Sequence, residues 1–223
     1  PNPTANIKRM RTPRSHVEPF TLEDARQMID AVRQDFRSYL IVRFFTGLRS
    51  GEANGLKWKH IDFERRQILV RETFVDGKTE YTKTDGSQRE IDMSRVVIDA
   101  LRSQQKAAEL SGSNDYVFCF RGGLPIYNKN FVNRIWNPLF EDIQVIRRRP
   151  YNMRHTAATL WIGSGEAPEW VAKQLGHTTT EMLFKVYSRY VPNLTRRDGA
   201  AFERMLAERE DAGNVVTLPI RKV

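Results

Sequence analysis

Apolar residues first recur on a helical period after residue 20: Leu22, Ala25, Met28, Ile29 and Val32 share a face, and Thr21 with Asp24 can cap its start. A second helix is expected from Phe36 to Phe45, ended by Gly47, before a short segment from Ser50 to Leu56 that leads into Trp58 and Ile61-Asp62-Phe63. The period then changes. Gln67 to Phe74, Lys78 to Thr82 and Gln88 to Met93 read as short strands, separated by the turn signals Asp76-Gly77 and Asp85-Gly86. Helical patterning returns from Ser94 to Leu110 and from Asn130 to Phe140, where Phe131, Ile135, Trp136, Leu139 and Phe140 lie together. Pro150 precedes a helix expected over Asn152 to Ile162, and Pro168 opens one that Gly176 closes after Leu175. The segment Thr179 to Tyr187 and an amphipathic piece with Phe202, Met205 and Leu206 follow. The pattern is α+β, mostly helical, with a small antiparallel sheet and no internal repeat.

Composition narrows the function classes. The 223 residues carry 36 Lys and Arg against 27 Asp and Glu, a net charge of +9 that favours a polyanionic partner, nucleic acid first. Apolar runs such as Ile41 to Phe45 fall far short of the roughly 20 residues that span a bilayer. With Cys119 alone, an internal disulfide is impossible and a buried, reduced thiol is expected, in keeping with a cytoplasmic or nucleoid setting. The chain opens on Pro1 and a polar stretch to Glu18, which reads as part of a longer protein.

Three stretches combine cations with backbone breaks: Thr46-Gly47-Leu48-Arg49-Ser50-Gly51-Glu52, Tyr151-Asn152-Met153-Arg154-His155-Thr156 and Leu175-Gly176-His177-Thr178. Free N–H groups at helix starts and guanidinium forks both donate to phosphate oxygens. Each feature also has a plain structural explanation. An Arg after a Gly is more often solvated than functional, His177 can cap a helix C-terminus, and Tyr187 can be a packed aromatic.

Taken together, in order and at these separations, the stretches resemble the motifs of the tyrosine recombinases of the phage-integrase type. Thr46 to Arg49 with Glu52 is similar to the first-arginine box, Arg154-His155-Thr156 to the second, and Leu175-Gly176-His177 with Tyr187 to the nucleophile box. The resemblance runs from about Glu18 to Asn193. It implies a tyrosine-recombinase catalytic domain with Arg49, Arg154, His177 and Tyr187 as catalytic residues, and Lys83 by its context before the Asp85-Gly86 turn. Tyr190 is a rival nucleophile, less favoured by its spacing from His177. One position departs from the family: where a His or Lys usually stands three residues before the second Arg, this chain has Tyr151. A phenol is a poor proton acceptor but can hydrogen-bond a phosphate oxygen. Tyr187 would then lose its proton through the pull of the arginines, or to His155, which is expected to face elsewhere because adjacent helix residues point about 100° apart.

The implied chemistry is metal-independent and cofactor-free cleavage and rejoining of DNA through a 3′-phosphotyrosine. Arg49 and Arg154 would clamp the phosphate, Lys83 protonate the leaving oxygen, His177 bond the phosphate, and Glu52 orient a neighbouring catalytic side chain. Arg147, Arg148, Arg149 and Lys57, with Lys59, Arg121 and Lys129, are candidates to meet DNA phosphates, although each alone reads as a solvated charge. The implied partners are double-stranded DNA at a specific site, a homotetramer on paired sites and accessory DNA-bending proteins, with no membrane. Residues 1–18 are expected to be a linker from an N-terminal DNA-binding region, 19–195 the catalytic domain, and 196–223 a C-terminal helix and tail, including Val215 to Leu218, that packs in cis or in trans. The rival readings are a type IB topoisomerase and a DNA-binding regulator that has lost catalysis, the latter resting on Tyr151 alone.

Overall fold

Thr21 opens the first helix, α1 (Leu22–Ala31), with a reciprocal cap: its hydroxyl accepts from Asp24 N–H at 3.0 Å while Asp24 Oδ2 accepts from Thr21 N–H at 3.0 Å. The computed structural model describes residues 17–81, 88–110, 115–120 and 122–188. Lys83, the Asp85-Gly86 turn, Arg121, Tyr190, most of the expected linker and the whole C-terminal segment therefore lie outside the described residues.

Helix α2 (Arg37–Thr46) ends where Gly47 turns left-handed at φ 63°. It packs against α4 (Arg95–Leu110) and α7 (Asn152–Ser164), and the short α3 (Ser50–Asn54) follows it closely. The main core gathers here. The Tyr39 ring meets Phe118 edge-to-face at 5.2 Å and Phe131 at 5.0 Å, with Phe20, Phe44 and Trp136 around them. The buried Tyr39 hydroxyl donates to Asn54 Oδ1 at 2.7 Å, which satisfies both groups.

The stretch expected as one strand from Gln67 to Phe74 is two, β2 (Gln67–Val70) and β3 (Glu72–Val75), divided at Arg71. With β1 (Ile61–Asp62) and β5 (Arg89–Asp92), β2 makes a three-stranded antiparallel sheet in the order β1-β2-β5, with Ile68 opposite Ile91. β3 pairs instead with β4 (Lys78–Tyr81) around the Asp76-Gly77 turn, where both residues have positive φ as a two-residue hairpin loop of this type requires. Arg71 holds the break, its Nη1 donating to the carbonyls of Val70 and Arg89 at 3.2 Å each.

The expected helix over Asn130 to Phe140 runs in three parts, α5 (Asn128–Phe131), a π segment (Val132–Trp136) and α6 (Asn137–Leu139). Pro138 has no N–H to give to the Arg134 carbonyl, and the register widens so that Asn137 N–H bonds Val132 O. α8 (Pro168–Leu175) packs on β5 and α7, and the segment after it is the helix α9 (Thr180–Tyr187). Helix α7 stands between two apolar clusters: Met153 belongs to the main core, whereas Ala158 and Ile162 join Val171, Leu175, Leu183 and Tyr187. Cys119, expected to be buried, is only half-buried, in a backbone bridge to Pro125. Among the described residues, no helix is long and apolar enough to cross a membrane.

Candidate functional site

Two left-handed glycines bring the motifs together. Gly47 ends α2 with its carbonyl facing α7, and a Cβ there would stand 3.0 Å from Leu175 Cδ2. Gly176 ends α8 at φ 66°, with His177 N–H reaching back to Ala172 O at 2.9 Å, and a Cβ there would meet Arg89 Cδ at 3.0 Å.

Arg154 is buried on α7 and is the staple between these turns. Its Nη1 donates to Gly47 O at 2.8 Å and its Nη2 to Leu175 O. His177 Nε2 lies 3.5 Å from Nη2. Burial and the neighbouring Arg49 cation pull the Arg154 guanidinium below its ordinary value, but it stays protonated at neutral pH. Arg49, at the N-cap of α3, remains 39% exposed in its side chain, so it is open to a ligand.

Glu52 organises this charge. It accepts from Arg49 N–H at 2.7 Å and from Arg49 Nη1 at 2.8 Å, while Arg89 grips it with both Nη atoms at 3.0 and 2.9 Å. Burial alone would raise the Glu52 carboxyl, but the Arg89 fork and the charges of Arg89, Arg49 and Arg154 bring it down to about 2. Arg89 also donates through Nε to Gln174 O at 2.7 Å, tying β5 to α8. It is the functional neighbour that motif reading missed. A signal was present: alternation along β5 puts Arg89 on the same buried face as Ile91. A second cation, Arg43, is buried in α2 and reaches Ser50 Oγ at 3.2 Å and Pro150 O at 3.3 Å, linking the loops that carry Arg49 and Tyr151. Among the described residues, no carboxylate pairs with Arg43.

Tyr187, at the end of α9, is buried with its hydroxyl 2.7 Å from His155 Nδ1. This corrects the expectation that His155 faces elsewhere. Positions 151 and 155 are one turn apart and share a face, so the face lined by Tyr151 is also that of His155, while Arg154 turns toward Gly47 and Leu175. Burial first, then Arg154, holds His155 at about 4. Burial, then Arg154, Arg49, Arg89 and His155, holds His177 at about 4 as well, so both rings are neutral at pH 7. Among the described residues, His177 Nδ1 is buried and has no hydrogen-bond partner. Burial raises Tyr187 well above the ordinary phenol range, against the opposing pull of Arg154. Tyr151 is 44% exposed at the rim.

The other basic candidates separate. Arg147, Arg149 and Lys129 are exposed. Arg148 turns inward over the Phe20 ring at 4.8 Å, near Asp24. Lys57 is held by Glu72 at 2.6 Å, which also takes Lys59 and His60. Among the described residues, no three His, Cys, Asp or Glu side chains cluster as metal ligands would.

A helical scaffold with a small sheet that gathers two arginines, two histidines and a buried tyrosine has the fold of a tyrosine-recombinase catalytic domain. Residues 6–193 match the phage integrase family, and the chain belongs to it. The putative defective protein IntQ of Escherichia coli strain K12 is 26% identical, over 93% of this chain and 58% of its own length. The ICEBs1 integrase of Bacillus subtilis strain 168 is 28% identical, over 86% of this chain and 56% of its own. The chain thus spans little more than half the length of these relatives. Among solved structures, the Tn1549 transposon integrase in complex with circular intermediate DNA is similar at a TM-score of 0.70 and 21% identity, over 86% of this chain and 68% of that one. XerA recombinase is similar at 0.64 and 24%, over 88% and 67%.

Proposed function

We propose that the chain is the catalytic part of a site-specific DNA recombinase or integrase that breaks and rejoins strands through a 3′-phosphotyrosine on Tyr187. The observation that carries this reading is the Tyr187 hydroxyl held in one cluster with His155, Arg154 and His177, with Arg49 open beside it. In-line attack by Tyr187 oxygen on phosphorus develops charge on the non-bridging oxygens, and two guanidinium groups fixed beforehand stabilise it without reorganising. Losing one such donor costs about 10² to 10³ in rate. The neutral His177 and the Tyr151 hydroxyl supply further donors, and Lys83 protonates the departing 5′-oxygen. The covalent phosphotyrosine conserves the bond for rejoining, so no nucleotide cofactor is consumed.

The same proposal takes double-stranded DNA at a specific site as substrate and a homotetramer on paired sites, aided by accessory DNA-bending proteins, as the working assembly. Its setting is the bacterial cytoplasm or nucleoid. Residues 19–195 form the catalytic domain, 1–18 a linker, and 196–223 a tail that packs on its own or a neighbouring subunit. Exposed Arg147, Arg149 and Lys129 meet the DNA backbone.

A nicked duplex carrying the recombination site traps the covalent intermediate because the short 5′ fragment diffuses away. The wild-type protein accumulates a protein–DNA adduct, Tyr187→Phe abolishes it and Tyr190→Phe does not. An adduct that survives Tyr187→Phe refutes the assignment of the nucleophile.

A further inference from the structure

The Tyr151 ring stands edge-to-face on His155, with centroids 5.0 Å apart, and α9 delivers the Tyr187 hydroxyl to 2.7 Å from Nδ1. The imidazole thus touches two tyrosines, one at the rim and one in the nucleophile position. The remaining titratable neighbours are Arg154 on the same helix and His177 beyond α8. Among the described residues, no carboxylate is hydrogen-bonded to His155 that would compete for its proton. We infer that His155 is the proton acceptor for Tyr187, so that this chain carries its general base one turn along α7 from the position where its family usually places a basic residue. The inference rests on Tyr187 being the nucleophile.

The step balances within the site. The Tyr187 O–H proton passes to the lone pair on His155 Nδ1 as the Tyr187 oxygen–phosphorus bond forms and the bond from phosphorus to the 5′-oxygen breaks, the departing 5′-oxygen taking its proton from Lys83. In rejoining, the 5′-hydroxyl gives its proton back to the Lys83 amine as its oxygen attacks phosphorus, and the proton on Nδ1 returns to the departing tyrosine oxygen. Before DNA binds, both groups resist the transfer, since burial favours the phenol and the neutral imidazole alike. The phosphate changes this balance in two ways. Its anion against Arg154 offsets the cation that holds the imidazole down, and bond formation to phosphorus makes the phenolic proton acidic. The proton therefore moves in the transition state and Tyr187 stays a phenol until a phosphodiester is seated.

Single-turnover cleavage of the nicked duplex by the full-length protein tests this. His155→Ala slows cleavage by about 10² or more, the usual worth of a positioned base, and imidazole added to the buffer restores activity in proportion to its unprotonated form. His155→Gln keeps a hydrogen-bond acceptor that cannot titrate, and it stays slow. Wild-type cleavage by His155→Gln, or a slow His155→Ala variant that is indifferent to imidazole, would overturn the inference and leave His155 a packing residue. Tyr187→Phe in the same assay keeps the two readings apart: its activity would remove the nucleophile itself.

Discussion

A 5′-oxygen leaving phosphorus needs a proton, and at the scale of single residues Lys83 is the chain's candidate donor. Replacing the bridging oxygen with sulfur gives a leaving group acidic enough to depart unassisted. Lys83→Ala is therefore expected to slow cleavage of ordinary DNA by about 10² to 10⁴ and to have little effect on the sulfur-bridged substrate, read as single-turnover rates on the two duplexes. Equal slowing on both would remove Lys83 as the acid. Residue identity carried much of the site here, because Arg49, Arg154, His177 and Tyr187 each stand in a distinctive local motif. His155 was visible as a neighbour but misjudged: a 100° step along a helix says which way a side chain leaves its own axis, and nothing about which element comes to meet it.

At the scale of elements, the site depends on a buried ionic junction between α3, β5 and α8. Glu52 and Arg89 are 3% and 4% exposed in their side chains, so removing Glu52 leaves the buried Arg89 charge unpaired, a loss of about 3 to 5 kcal/mol, whereas removing Arg89 leaves Glu52 with Arg49 and costs less. The junction also titrates. Glu52 sits at about 2 when folded and near its ordinary value when unfolded. Its contribution, on the order of 3 kcal/mol, is complete above about pH 4.5 and is lost as pH falls toward 2, because the unfolded carboxylate takes its proton first. His155 and His177, held at about 4 when folded, act in the same direction over an earlier window. Unfolded histidines protonate near 6.5 while the folded ones resist, so stability falls as pH drops from there toward 4. The urea midpoint should decline from about pH 6.5 downward, most steeply between about 6 and 4.5 where both histidines contribute, and keep falling toward pH 2 as Glu52 follows. A flat profile between pH 6.5 and 4.5 contradicts the half-buried, neutral histidines.

For the whole molecule, a net charge of +9 predicts affinity for DNA that falls with salt, by about 0.9 in log–log slope for each phosphate neutralised. The three neighbouring arginines should divide by orientation. Replacing exposed Arg147 and Arg149 with Ala lowers the slope by about 2, as measured by fluorescence anisotropy on a labelled duplex over a salt series. Arg148→Ala leaves the slope unchanged and lowers the thermal midpoint, since that guanidinium lies over Phe20. A slope that drops equally for Arg148 refutes the division.

The amino-acid sequence by itself determined the local elements and the motifs. The Thr21 cap, the Asp76-Gly77 turn, the glycine stops at Gly47 and Gly176 and the amphipathic faces act over a few residues, and they read correctly because their causes are local. The same sequence determined where the family's arginines, histidine and tyrosine stand. Only the tertiary structure decided the division of the long strand at Arg71, where one half pairs with β5 and the other with β4, since pairing depends on strands distant in the chain. It decided, too, that Arg89 supports Glu52, that Arg43 bridges Ser50 and Pro150, and that His155 meets Tyr187 across 32 positions. Those contacts join α2, α3, β5, α7 and α9, and a hydrogen bond is fixed by where two elements pack, which no single segment of sequence contains.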